Sequence, residues 1–210
     1  YTDHLSIGLY DNRIGQTHFS TPGPDGKRGF GGSCFPKDTL ALVRMAEEVG
    51  SPLRLVDEVV KINTRRKHRM AEKIIKACGG AVNGKTIAML GLTFKPNTDD
   101  MRESPSLDIV SGLQDAGAKI RAFDPEGMES ARNIMKDVTW CQDAYDAIEG
   151  EDAVSIVTEW NQFRALDLKR AKQLIKTPVM IDLRNIYNPD DMAEAGFHYF
   201  SIGRTTVTPI

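Results

Sequence analysis

From residue 85 onward, short apolar runs alternate with stretches of helical spacing. Thr86-Ile87-Ala88-Met89-Leu90 is a continuous run between Lys85 and Gly91, and predicts a strand buried on both faces. Ser104 to Ala116 opens with a serine and a proline and predicts a helix. Lys119 to Phe123 predicts a second strand, ending at Asp124-Pro125, and Ala153 to Val157 and Val179 to Asp182 predict two more with helical segments between them. Strands separated by helices imply a parallel sheet covered on both faces. Ligands of such sheets bind outside the carboxyl ends of the strands, which directs attention to Gly91–Arg102, Asp124 and Asp182-Leu183-Arg184. The residues after the first strand are Gly91-Leu92-Thr93-Phe94-Lys95, so the G-x-G-x-x-G dinucleotide fingerprint is missing there.

The first eighty residues follow another pattern. Up to about Gly32 the chain is dense in turn formers, among them Pro22-Gly23-Pro24-Asp25-Gly26. Pro36 stands where a helix can begin, Leu40, Val43 and Ala46 follow at helical spacing, and Gly50 can end it. Ser51-Pro52 predicts the start of a second helix reaching about Cys78, roughly 40 Å long at about 1.5 Å per residue. One small core cannot bury such a length, so a homodimer through the 52–78 helix is expected, with Leu53, Val56, Val60 and Ile74 in the contact. Gly79-Gly80 breaks the helix and divides the chain into 1–80 and 81–210.

Composition narrows the function. A net charge of −2 disfavours a nucleic-acid binder, and the basic run Arg65-Arg66-Lys67-His68-Arg69 reads as a solvated face or subunit contact. No apolar run reaches the roughly 18–20 residues of a membrane span and nothing resembles a signal peptide, so no membrane partner is expected. Three cysteines without C-x-x-C spacing disfavour a zinc site or a disulfide framework and suit a reducing cytoplasm. No metal site is expected. Cys78 and Cys141 read as small buried hydrophobes.

Cys34 differs from the other two. It lies in Gly29-Phe30-Gly31-Gly32-Ser33-Cys34-Phe35-Pro36-Lys37-Asp38, just ahead of a helix N-terminus and three residues before Lys37. Orphan N–H groups and a nearby ammonium favour the nucleophilic thiolate, and the glycines would let a substrate approach closely. Spacing alone leaves a reactive and a buried structural cysteine equally open. Asp38 also suits the first turn of a helix as an acid facing the dipole. Phe94-Lys95 reads either as a ring-stacking and phosphate-binding pair or as an ordinary surface loop. Arg102 points into the cleft or pairs with Asp99 or Asp100. Arg184 reads as an anion clamp or as a salt-bridge partner of Asp182.

Gly29 to Asp38 together with Gly91-Leu92-Thr93-Phe94-Lys95-Pro96-Asn97-Thr98-Asp99-Asp100-Met101-Arg102-Glu103-Ser104-Pro105-Ser106 resembles the UDP-glucose/GDP-mannose dehydrogenase family, over nearly the whole chain. The sequence after Lys95 resembles the UDP-glucose branch, since GDP-mannose enzymes tend to carry Ala-Gly there. The resemblance implies an α/β fold: an all-helical central dimerisation segment with a long connecting helix, then a Rossmann-like parallel domain that binds the nucleotide sugar. It implies oxidation of the C6 alcohol of UDP-glucose to a carboxylate with two NAD, through a cysteine thiohemiacetal and thioester. Cys34 matches the nucleophile and Asp38 a water-orienting or proton-handling carboxylate, while Lys37 and Arg102 match residues that touch NAD. Arg13, Phe19, Phe30, Gly31, Phe94, Lys95 and Arg184 match substrate contacts, Arg13 by way of a neighbouring subunit. Family members begin with a Rossmann domain for NAD, so a portion starting after it is expected to be inactive alone. The competing expectations are another nucleotide sugar of the same family (GDP-mannose or UDP-N-acetylmannosamine) and a non-catalytic nucleotide-binding or oligomerisation module.

Overall fold

A computed structural model describes residues 30–32 and 34–210, in which Gly31–Ile210 forms one compact unit. This unit opens with two helices, α1 (Phe35–Glu48) and α2 (Arg54–Ala77). Cys34 is the N-cap of α1 and Pro36 sits in its first turn, where no N–H is missed. The second helix starts two residues later than Ser51-Pro52 suggests. Ser51 donates its N–H to the Ala46 carbonyl at 2.9 Å and so closes α1 instead of opening α2. Gly79 and Gly80, with φ of +90° and +88°, end α2 as expected.

Only the last turns of α2 enter the core. Ala71 and Ile74 are buried against α3 (Pro105–Asp115). A β-carbon on Gly112 would lie 2.9 Å from Ala71 Cβ, so the two helices approach closely because that position is bare. Ile74 is fully buried in this chain's own core and cannot serve as a contact to a second copy, contrary to the expectation from its spacing. Nearer the start of α2, Leu55, Val59 and Ile62 are 80, 43 and 54% exposed at helical spacing, forming an exposed apolar stripe.

Six parallel strands follow: β1 (Thr86–Leu90), β2 (Lys119–Phe123), β3 (Val138–Trp140), β4 (Ala153–Ile156), β5 (Val179–Asp182) and β6 (His198–Ser201). Their spatial order is β3-β2-β1-β4-β5-β6, which places the reversal of winding between β1 and β4. Leu90 pairs with Phe123 on one side and Ile156 on the other, and Ile156 with Asp182, so these strand ends are aligned along one rim. Apolar clusters cover both sheet faces, as parallel strands require. The two edge strands, β3 and β6, lack the continuous apolar run because one side of each faces outward; Thr139 and His198 are exposed. Five short helices, α4 (Met128–Arg132), α5 (Ala144–Ile148), α6 (Asn161–Arg164), α7 (Leu168–Leu174) and α8 (Pro189–Glu194), complete the layers. Among the described residues, no helix is long and apolar enough to cross a membrane.

Candidate functional site

The rim of the sheet is organised by two buried carboxylates. Asp124, at the end of β2, is fully buried. Its Oδ2 accepts from the Leu92 and Thr93 amides at 2.6 and 3.1 Å and from Trp160 Nε1 at 3.2 Å, while Oδ1 accepts from Glu126 N and Gly127 N at 3.0 and 2.7 Å. A charged acceptor among this many N–H groups draws the loop after β1 and the turn after β2 to one point. Asp182 does the same at the end of β5, accepting from the amides of Arg184, Ile186 and Tyr187 and from the Tyr199 hydroxyl at 2.7 Å. Burial first, then the Asp182 charge, pushes the Tyr199 phenol far above its ordinary range, so it stays a donor.

The loop after β1 carries Phe94 and Lys95. Phe94 does not offer both faces of its ring to a ligand. A β-carbon on Gly31 would lie 3.1 Å from Phe94 Cδ2, and one on Gly32 would lie 2.9 Å from Cε1 and Cζ. Bare backbone from the segment before Cys34 therefore rests on this ring. Gly32 also has φ +80°, so two independent reasons demand glycine there. Lys95 holds its ammonium 5.8 Å from the Phe94 centroid and is exposed. The other strand-end candidate, Arg184, is half-buried and pairs through Nε with Glu159, a 5%-exposed carboxylate at the end of β4. The sequence suggested Asp182 as its salt-bridge partner, but that carboxylate holds the Arg184 backbone amide instead.

Cys34 is exposed at the head of α1. Beside it, Lys37 bonds to Asp38, its neighbour in the first turn; this bond, ahead of the coulombic attraction of the same carboxylate, holds the ammonium above its ordinary pKa, with the Cys34 charge adding a little. Arg102 makes a two-pronged contact with Asp100, Nε and Nη2 each at 2.9 Å, and Asp100 is the main cause of its raised pKa, with Cys34 again a minor favourable charge. Cys34, Lys37, Asp38 and Arg102 thus form one charged neighbourhood. Phe30 is half-buried, and Arg13 and Phe19 lie outside the described residues.

Cys78 and Cys141 are buried, and desolvation is the first cause raising both thiols. In iodoacetamide at pH 7, Cys34 is expected to alkylate on the order of tenfold faster than either. Tryptic peptides weighed against the denatured chain provide the measurement; equal rates for all three would contradict this picture.

At the β1–β4 crevice the two strand-end loops touch: a β-carbon on Gly91 would stand 2.7 Å from the Thr158 amide, and the Thr158 hydroxyl donates to the Thr93 carbonyl at 2.6 Å. The acid at the end of β2, which in a dinucleotide site would take ribose hydroxyls, is occupied by the chain's own N–H groups. Sequence reading missed Thr158 and Glu159, although polar residues directly after a predicted strand were a usable signal.

Residues 88–189 match the UDP-binding domain of the UDP-glucose/GDP-mannose dehydrogenase family, and residues 5–65 match that family's central domain. The chain belongs to the UDP-glucose/GDP-mannose dehydrogenase family. It is 54% identical over 198 residues to a UDP-glucose 6-dehydrogenase of Rhizobium meliloti (strain 1021), an alignment covering 94% of this chain and 44% of that protein. It is 42% identical over 202 residues to the UDP-glucose 6-dehydrogenase TuaD of Bacillus subtilis (strain 168), covering 96% and 42%. Among solved structures, a UDP-glucose dehydrogenase from the archaeon Pyrobaculum islandicum superposes with a TM-score of 0.67 at 34% identity, over 85% of this chain and 39% of that one. The chain therefore spans less than half the length of these family members. Its sheet and helices are those of nucleotide-sugar dehydrogenases, as the family resemblance implied.

Proposed function

We propose that this chain is the part of a UDP-glucose 6-dehydrogenase that carries the nucleophilic thiol and the nucleotide-sugar site. The observation that supports this most is the packing of the Gly31-Gly32 backbone onto Phe94, which sets the exposed Cys34 beside the strand-end loop of Lys95. In this reading Lys95 and Arg184 hold the diphosphate. The backbone around Gly31 and the edge of Phe94 line the sugar, and Phe30, Arg13 and Phe19 are taken as further substrate contacts on the family motif.

Cys34 Sγ adds to the C6 aldehyde carbon, and the carbonyl oxygen takes a proton to give a thiohemiacetal. Loss of two electrons and two protons, as the C6 hydride and the hydroxyl proton, gives a thioester. Asp38 orients the water that attacks it, and Cys34 leaves as the thiol while the sugar departs as the carboxylate. The electron-accepting cofactor is NAD, held chiefly outside this sheet and reached at its rim by Lys37 and Arg102. The chain alone is inactive, divides into a central part at 1–80 and a sugar-nucleotide part at 81–210, and works in the cytoplasm.

Calorimetry tests the reading: UDP should bind more tightly than GDP, and Lys95→Ala or Arg184→Ala should weaken UDP about tenfold to a hundredfold, the worth of one charge-assisted hydrogen bond. Equal affinities for the two nucleotides would move the chain to the GDP-mannose branch. We propose further that the α2 stripe of Leu55, Val59 and Ile62 seats a second copy. Sedimentation at tens of micromolar should give a dimer, and Leu55→Asp with Ile62→Asp a folded monomer; a parent chain that sediments as a monomer sinks this contact.

A further inference from the structure

Among the described residues, the arm that carries Cys34 rests against two groups. One is the ring of Phe94. The other is the Glu103 carbonyl oxygen, which would lie 3.0 Å from a β-carbon on Gly31. Glu103 adopts φ +54°, a left-handed conformation that is strained for a non-glycine residue and persists only where its surroundings enforce it. Two contacts do so. Ser104, the next residue, is fully buried, caps α3 and donates its hydroxyl to the Leu92 carbonyl at 2.6 Å. On the other side Glu103 Oε2 meets the Lys67 ammonium of α2 at 2.8 Å. Lys67 is 11% exposed and lies 3.7 Å from Asp108 on α3, so two carboxylates hold its ammonium.

We propose that Lys67 and Glu103 are positioning residues for the Cys34 arm. Lys67 holds Glu103 in its left-handed turn, the Glu103 carbonyl and the Phe94 ring form the seat, and the glycine backbone lies in it. The thiol is then placed by α2, the same helix whose earlier turns expose the apolar stripe. Any shift of α2 along its axis moves Lys67 and alters the seat. This deepens the reading of Cys34 as the nucleophile, but the test does not depend on that chemistry.

A nitroxide attached to Cys34, the exposed cysteine among the described ones, reports the arm's mobility by electron paramagnetic resonance in the chain as it stands. Lys67→Met and Glu103→Gln should each raise the mobile component roughly twofold or more, on the nanosecond scale that separates held from loose segments. The conservative Lys67→Arg, which keeps a cation beside both Glu103 and Asp108, should leave the spectrum close to the parent. Lys61→Met, which removes an exposed ion pair to Asp57 on the same helix, should leave it unchanged. Variants that melt earlier but keep the parent spectrum would reduce the pair to a structural tie and overturn the proposal. A parent arm that is already fully mobile would overturn it too. Equal alkylation rates for Cys34, Cys78 and Cys141, by contrast, would count only against the nucleophile.

Discussion

Asp124→Ala should destabilise the sheet domain by about 3–5 kcal/mol, the usual cost of deleting one partner of a buried charged network. Five N–H donors lose their acceptor at once, the amides of Leu92, Thr93, Glu126 and Gly127 and the Trp160 indole, and the Thr93 hydroxyl loses it too. Most of these groups lie at the end of the carboxylate where water does not reach, since Asp124 is fully buried. An orphaned buried donor costs about 1–3 kcal/mol on its own, and local rearrangement will recover part of the total. Asp124→Asn keeps the shape, but an amide turns N–H groups toward N–H groups on one side, so it should also destabilise, though by less. Urea titration followed by tryptophan fluorescence reads the effect as a fall in midpoint. A loss below about 1 kcal/mol for the alanine variant would mean that water or another acceptor takes over the rim. Because the same carboxylate holds the loop of Phe94 and Lys95, any surviving Asp124→Ala protein should also bind UDP more weakly than its fraction folded explains.

Gly91→Ala should be nearly as costly, for two separable reasons. Gly91 has φ +87°, where a side chain costs roughly 1–2 kcal/mol. Its new β-carbon would also stand 2.6 Å from Thr158 Cβ and 2.7 Å from the Thr158 amide. Backbone cannot rotate away, so the ends of β1 and β4 must part, and overpacking of this kind costs about 1–3 kcal/mol more. Gly84→Ala supplies the control: its φ is +75°, but nothing stands within 4 Å of the added carbon. The difference between the two variants in thermal or urea unfolding isolates the steric part. Equal destabilisation would show that the β1 and β4 loops yield without resistance.

Strands β1, β2, β4 and β5 and helix α3 were legible because each carries a local signal that survives any context: a mainly apolar or alternating run between breakers, or the Ser104-Pro105 start. Cys34 at the N-cap of α1 was legible in the same way, from Pro36 and the glycines before it. The edge strands β3 and β6 were not, since a half-exposed strand of three or four residues looks like any loop. The exposed stripe on α2, Leu55, Val59 and Ile62, differs from the expected contact of Leu53, Val56, Val60 and Ile74, of which Ile74 is buried. Ile74 shares the helical spacing of the earlier apolar positions, but Gly112 lets α3 close over its neighbourhood, and periodicity alone does not say which neighbour covers a face.

By itself, the sequence determined the alternation of elements, the parallel sheet, the family and the set of polar residues at the strand ends, because periodicity, caps and motifs are properties of adjacent positions. Tertiary structure alone decided the pairings. Arg184 takes Glu159 over Asp182, Phe94 gives a ring face to Gly31-Gly32, and Lys67 reaches thirty-six positions along the chain to Glu103. Such choices follow from which strand lies beside which and from how closely bare glycine lets backbones approach, and neither quantity is written in local spacing.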